Sequence, residues 1–408
     1  MYADIIIIGG GASGLFAAIN AKKENNSVLI LEHGIKPGKK ILSTGNGRCN
    51  LTNTFCTVSK FDVNPEGIFP YRSSGDISFA ERVIESFDAS DTELFFESLG
   101  ILTEDKNGYV YPRSEQASTI SDALIKACEW LGVEIATEIH VDSVKKIPDE
   151  GFMINGEYTC KKLLIASGGM SAKSTGSDGS MYGIVRDLGH SVIDPMPALC
   201  AIRCSDKFFR ELQGVRSDSA VYLKDKCGNT IISTKGNLQF TSYGISGIPV
   251  FQISSCAGDM FRSHETLNIS IDLLPEMKED VLAAFIDDYC TVWGTSSLPS
   301  ILNGKIIKVL EKILVKKKSG NSSFGNEAAR LIKDFRVTPT GLNDFDSSQI
   351  TKGGVSTLEI NPETMESSIV PGLFFAGEII DVDGICGGYN LQWAWSTAYI
   401  AAEGLLRS

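Results

Sequence analysis

The sequence predicts an α/β fold built on a parallel sheet, with a dinucleotide site at its start, an insertion in its middle and a return to the sheet at its end. Three observations predict it. Ile5 to Ile8 is a continuous β-branched run, the pattern of a strand buried on both faces. Gly9-x-Gly11-x-x-Gly14 follows at once and opens a stretch in which Leu15, Ala18 and Ile19 recur at helical spacing. Far downstream, "GLFFAGEIID" (372–381) supplies another buried strand, and Leu391 to Leu406 a closing helix.

Each opening element has a chemical reason. Gly9 allows the tight turn, Gly11 lets backbone approach a pyrophosphate, and Gly14 lets the helix pack close to the sheet. Ala12 and Ser13 sit at the helix N-terminus, whose free N–H groups favour phosphates. Val28 to Leu31 gives a second buried strand, ending in Glu32, eighteen residues beyond Gly14 and placed to accept from ribose hydroxyls. The crowded polar stretch "STGNGRCNLTN" (43–53) then reads as a loop rich in hydrogen-bonding groups.

Phe79 to Gly100 reads as helix, "GYVYP" (108–112) as a hairpin arm and Ser118 to Gly132 as another helix. "GVEI" and "IHVDSVKKI" look like short strands, and Lys162 to Ala166 like a further buried one. After Pro195-Met196-Pro197 alternating strands run to about Leu273, and a helical stretch spans roughly Glu276 to Lys333. Strand-like segments return at "FRVTPTG" and "GGVSTLEI". The simplest account is a first domain completed by the C-terminal segment, with a β-rich and helical insertion.

The closing segment points to a flavin. Gly377 and Glu378 follow the late strand, Asp383 lies in the next loop, and Gly387-Gly388-Tyr389-Asn390-Leu391 begins the last helix. A helix N-terminus in that position would favour negative charge at the pyrimidine edge of a reduced isoalloxazine. With the opening motif, this indicates FAD.

Composition narrows the class. The 408 residues carry a net charge of −12, which argues against nucleic acid as the main partner. Lys316-Lys317-Lys318 is the only strong basic run and reads as a solvated helix end. No apolar run is long enough for a membrane span, and no signal-peptide pattern opens the chain, so a cytoplasmic location is expected. Ten cysteines form no Cys-x-x-Cys, which weakens zinc and dithiol readings, and His33, His140, His190 and His264 show no metal-ligand spacing. No metal is expected.

The chain resembles the NAD(P)/FAD-dependent flavoprotein family typified by a Haemophilus hypothetical protein, which includes proteins similar to bile-acid-converting reductases and aminoacetone oxidases. "IIIIGGGASGL", "GKKILSTGNGRCNLTN", "LLIASGGMS…TGSDG", "FTSYGISG", "TKGGVSTLEINPETMES" and "GLFFAGEIIDVDGICGGYNLQWAWSTAY" carry the resemblance along the whole length. Asn46 stands where a glycine is usual, and Ser167 where a threonine is. The resemblance implies a Rossmann-like FAD-binding domain of the two-dinucleotide flavoprotein type. That domain would take residues 1–195 and 357–408, with a β-barrel-like insertion (196–272 and 335–356) covering the flavin and a small helical domain (273–334).

It also implies roles. Lys39 and Lys40 would meet the ribose–pyrophosphate region, while Ser43, Gly45, Arg48, Cys49 and Asn50 would lie along the ribityl chain and ring. Val141 would lend backbone to adenine, Gly168 would pass near the dinucleotide, and "QFTSYGISG" (239–247) would wall the substrate pocket. The FAD would be non-covalent. No second glycine-rich strand–turn–helix with its own acid occurs, so NAD(P)H would dock transiently if it is the donor.

The expected activity is reduction of an activated C=C bond in a small enone, sterol-like or bile-acid-like, by hydride transfer from flavin N5. The alternatives are an oxidase of small amines such as aminoacetone, and a flavin-binding redox sensor without turnover. Tyr389 and Tyr243 are conceivable proton donors, and no catalytic residue is assigned. The oligomeric state is left open.

Overall fold

The computed structural model describes residues 1–63, 69–316 and 323–407; Lys317 and Lys318 of the basic run lie outside them. The chain divides into two compact units, residues 1–196 with 349–408, and residues 197–348. The β-rich and helical parts of the insertion thus fall within one unit.

The first unit is organised by a sheet whose parallel strands run in the order Glu134–Ala136, Val28–Leu31, Tyr2–Ile8, Tyr158–Ile165, Leu373–Phe375. Ile5 to Ile8 pair with Val28 to Leu31 on one side and Lys162 to Ile165 on the other. A central parallel strand has both faces covered, which is why these stretches are uninterrupted apolar runs. Two antiparallel strands, Gly151–Ile154 and Val144–Ile147, extend the sheet beyond Tyr158–Ile165.

Helix Ala12–Ala21 packs against the C-terminal helix Tyr389–Arg407 through an aromatic cluster. Phe16 lies 5.4 Å from Trp395 and 4.1 Å from Phe95, ring centre to ring centre, and Trp395 meets Phe96 edge-on at 5.3 Å. The continuous helix expected over 79–100 is two helices, Ser78–Ser86 and Ala89–Ser98. Asp88 divides them. Its carboxylate accepts from the Ser90 and Asp91 N–H groups, and Asp91 reciprocates to the Asp88 N–H, a capping box. The cap residues Asp88 and Asp91 are what announce the break in the sequence. In "IHVDSVKKI" only Val144–Ile147 is strand.

His190 is sequestered in this unit. Its Nε2 lies 2.8 Å from Ser367 Oγ and its Nδ1 3.1 Å from Glu359 Oε2. Ser367 Oγ already accepts from the Ile369 and Val370 N–H groups, so it donates to Nε2, and Nδ1–H donates to Glu359. Burial pushes the imidazole below its ordinary range, and Glu359 only partly offsets this. The unfolded chain therefore takes up the proton first. Stability from this group is complete above the unfolded value of about 6.5 and declines as pH falls below it toward the folded value. Thermal midpoints measured from about pH 7.5 down to about pH 5 are expected to fall less steeply for His190→Asn than for wild type. Parallel slopes would show that His190 does not carry the effect.

The second unit is an antiparallel sheet ordered Phe335–Val337, Asn268–Asp272, Arg216–Lys224, Thr230–Thr241, Gly244–Ser246, Ile202–Cys204, Pro339–Leu342. Its two edge strands are consecutive in the chain with only Thr338 between them, so the sheet curls toward closure. Glu279–Trp293, Gly304–Lys316 and Phe324–Lys333 are three helices within the expected helical stretch. Leu282, Ile286, Leu310 and Ile332 share a core with Val221 and Ile271 of the sheet. Lys333 pairs with Asp272 at 2.6 Å and ties helix to strand.

Candidate functional site

A cleft partly open to solvent lies in the first unit. It is lined by the segments that follow all five parallel strands. Gly9 to Ser13 follow the first, Glu32 and His33 the second, and Ile139 to Val141 come after Glu134–Ala136. Ala166 to Gly168 and Glu378 follow the remaining two. Ligands of open α/β sheets bind at the carboxyl ends of the strands, and this cleft is there.

The glycine triplet divides its work. A Cβ on Gly9 would stand 2.5 Å from the Ala166 carbonyl oxygen at φ +104°, and one on Gly14 would collide with the Gly9 carbonyl. Those two glycines serve packing. A Cβ on Gly11 would meet nothing within 4 Å, and Gly11 lines the cleft. The helix behind it, Ala12–Ala21, has no side-chain cap and no acid in its first turn. Its positive end is thus left uncapped by its own side chains, and a space is kept over it: a cradle that fits a pyrophosphate.

Glu32 is buried, and both carboxylate oxygens are engaged. Gly10 N–H donates to Oε2 and Gly34 N–H to Oε1, each at 2.6 Å. The acid ties the glycine turn to the loop after the second strand while still lining the cleft. Lys40 pairs with Glu378 at 2.6 Å, and the other Glu378 oxygen accepts from Thr351 N–H at 2.8 Å. Ala12, Ser13, Lys39, Val141, Gly168, Asn390 and Leu391 also line the cleft.

Other expected neighbours do not line it. Ser43 Oγ turns back to the Lys40 carbonyl, and a Cβ on Gly45 would stand 2.7 Å from the Asn50 nitrogen. Arg48 lies over the Tyr111 ring at 4.8 Å. Cys49 is fully buried, and burial pushes its thiol up to about 12, which makes it an inert core group. Asn50 faces inward. With its amide oriented to satisfy every partner, it donates to the Thr52 and Val110 carbonyls and accepts from Gly388 N–H at 3.1 Å. Gly388 cannot carry a side chain, because a Cβ would strike the Thr52 backbone. Asn53 Nδ2 donates to the Gly387 carbonyl at 2.8 Å. The polar loop is thus a clamp on the start of the last helix.

Gly377 packs on Ser13, its N–H donates to Thr397 Oγ1 at 2.9 Å and its carbonyl accepts from Trp393 Nε1 at 3.2 Å. Asp383 is buried beside Arg72 in a short antiparallel pair. Of the two conceivable proton donors, Tyr389 is buried against Tyr71, and Tyr243 is exposed in the second unit. "QFTSYGISG" forms the adjoining ends of Thr230–Thr241 and Gly244–Ser246 in that unit.

Sequence reasoning missed Thr175 to Met181, a turn segment that lines the cleft. The dense "TGSDG" was its signal. It also missed that His33, His140 and Asp178 come together on the cleft wall. All ten cysteines are free, and Cys227 alone is exposed.

Fold and cleft are those of a Rossmann-type dinucleotide-binding protein, and with the relatives below they identify an FAD-dependent oxidoreductase. The chain belongs to the family of the HI0933-like protein Rossmann domain, which matches residues 3–404. It is 36% identical over 412 residues to the 3-dehydro-bile acid delta(4,6)-reductase of Clostridium scindens, covering 97% of each chain. It is 32% identical over 418 residues to the ribosomal RNA dihydrouridine synthase of Escherichia coli, covering 99% of this chain and 98% of that one. Among solved structures, the 3-ketosteroid delta1-dehydrogenase of Sterolibacterium denitrificans aligns over 99% of both chains with a TM-score of 0.54 and 12% identity. That last likeness is one of fold. No helix among the described residues is long and apolar enough to cross a membrane.

Proposed function

We propose that this protein reduces a carbon–carbon double bond conjugated to a carbonyl, in a small steroid-like or bile-acid-like enone, with non-covalent FAD and a transiently docked nicotinamide as donor. The observation that carries the reading is the full-length similarity to a bile-acid reductase, in a chain with a cleft shaped for a dinucleotide. When bound, FAD supplies the hydride that adds to the β-carbon of the enone, and a proton at the α-carbon completes the reduction. The chain's part is to hold the cofactor. Gly11 and the helix behind it take the pyrophosphate, Glu32 keeps the glycine turn in shape, and the Lys40–Glu378 pair braces the wall.

A second reading keeps the chemistry and changes the substrate. Uridine has a C5=C6 bond conjugated to the C4 carbonyl, and the similarity to a ribosomal RNA dihydrouridine synthase favours it. The net charge of −12 counts against it, since an RNA backbone is held largely by cationic side chains.

The test is an anaerobic titration. Acid should release FAD from the purified yellow protein. Holoenzyme reduced with NADH or NADPH should regain oxidised-flavin absorbance on adding a 3-oxo-Δ4 or 3-oxo-Δ4,6 bile acid, with loss of the enone band. Reoxidation by unmodified ribosomal RNA, but by no enone, would establish the second reading. Oxygen uptake with amines alone would sink both.

A further inference from the structure

The cleft wall holds a cluster that flavin binding does not require. His33 follows the strand Val28–Leu31, His140 precedes Val141, and Asp178 lies in the turn segment 175–181. Their rings and carboxylate converge. His33 Nδ1 lies 3.3 Å from His140 Nδ1 and 3.7 Å from Asp178 Oδ2, and three ligand atoms, one from each residue, fall within 4.8 Å of one another. Two nitrogens bound to one tetrahedral zinc at roughly 2.0–2.1 Å stand roughly 3.3 Å apart, so the imidazole pair already has the required edge. Behind His140, Asp142 Oδ1 lies 3.4 Å from its Nε2; a carboxylate on that side is a common companion of a metal-bound histidine.

We propose that His33, His140 and Asp178 form a binding site for one divalent d-block cation of the zinc class, on the wall of the nucleotide cleft. His33 binds through Nδ1 once its proton moves to Nε2, His140 through Nδ1, and Asp178 through one carboxylate oxygen after a small rotation. Water completes a four-coordinate shell. The ion would tie the turn segment 175–181 to the loops bearing His33 and His140, which the Glu138 and Ile139 N–H groups already join by donating to the Gly34 and Glu32 carbonyls.

The experiment uses tag-free holoenzyme stripped with a chelator, then titrated with zinc chloride by calorimetry and with cobalt(II) by absorption at wavelengths beyond the flavin bands. One zinc per chain is expected, with tetrahedral cobalt bands and a raised thermal midpoint. His33→Ala and His140→Ala should each weaken binding at least tenfold and abolish the cobalt bands. Asp178→Asn should weaken it as well. Cys227→Ser, which removes the exposed thiol, should change nothing. Absence of binding below about 1 mM, a range too weak for a dedicated zinc site, would overturn the proposal. Binding that survives both histidine substitutions would do so equally.

Discussion

Replacing Gly11 with valine is expected to strip the flavin from a protein that still folds. Gly11 has φ −81°, a conformation open to any residue, and its Cβ would enter empty space. The folded chain pays only for the lost glycine cap, on the order of 1 kcal/mol. The isopropyl group, however, would occupy the cradle over the helix N-terminus, where backbone must touch the pyrophosphate. FAD affinity should fall by well over tenfold, or at least about 1.4 kcal/mol. Flavin-to-protein ratio after gel filtration, with circular dichroism as the folding control, measures it. A folded variant with wild-type flavin content would mean that the pyrophosphate lies elsewhere. Gly9→Val makes the contrast. There the Cβ meets the Ala166 carbonyl, so folding itself should suffer.

The largest stability effect is expected at Trp395. Its side chain is fully buried among Phe16 and Phe96, and its Nε1–H donates to the Leu51 carbonyl at 2.9 Å. Trp395→Ala removes the ring and leaves a cavity between three helices, at a cost of about 3–5 kcal/mol. Trp395→Phe fills most of the space but leaves a buried carbonyl without its donor, at a cost of about 1–3 kcal/mol. Denaturant midpoints for the two variants should therefore separate in that order. Equal, small losses would show that the aromatic cluster relaxes around the gap.

What could be read from the sequence was whatever rests on near neighbours in the chain. The buried runs at Ile5–Ile8 and Val28–Leu31 and the intervening glycine triplet imply strand, turn and helix because their spacing alone demands it. Cleft residues close to those elements, such as Gly11, Glu32 and Lys40, followed. Contacts made across the chain did not. Asn50 has the composition of a ligand-binding loop residue, yet its partners are Val110 and Gly388, which no local pattern reveals. His33 and His140 are separated by 107 positions and meet because the strands preceding them are neighbours in the sheet. Asp88 shows the local limit: two consecutive short helices look like one unless the cap is noticed.

The strand Tyr158–Ile165 receives its parallel neighbour Leu373–Phe375 only after the whole second unit has intervened. During synthesis the ribosome therefore delivers residues 197–348 in one uninterrupted piece while the nucleotide-binding sheet still lacks its last parallel strand and its covering helix. Domains generally fold as units as they emerge. The vectorial order then places the second unit's folding ahead of the first unit's completion, and flavin capture last. A chain truncated near residue 350 would hold the whole second unit and an unfinished cofactor site, with the apolar partners of Tyr389–Arg407 still uncovered. The interval before residues 373–407 arrive is when this protein has most need of a chaperone.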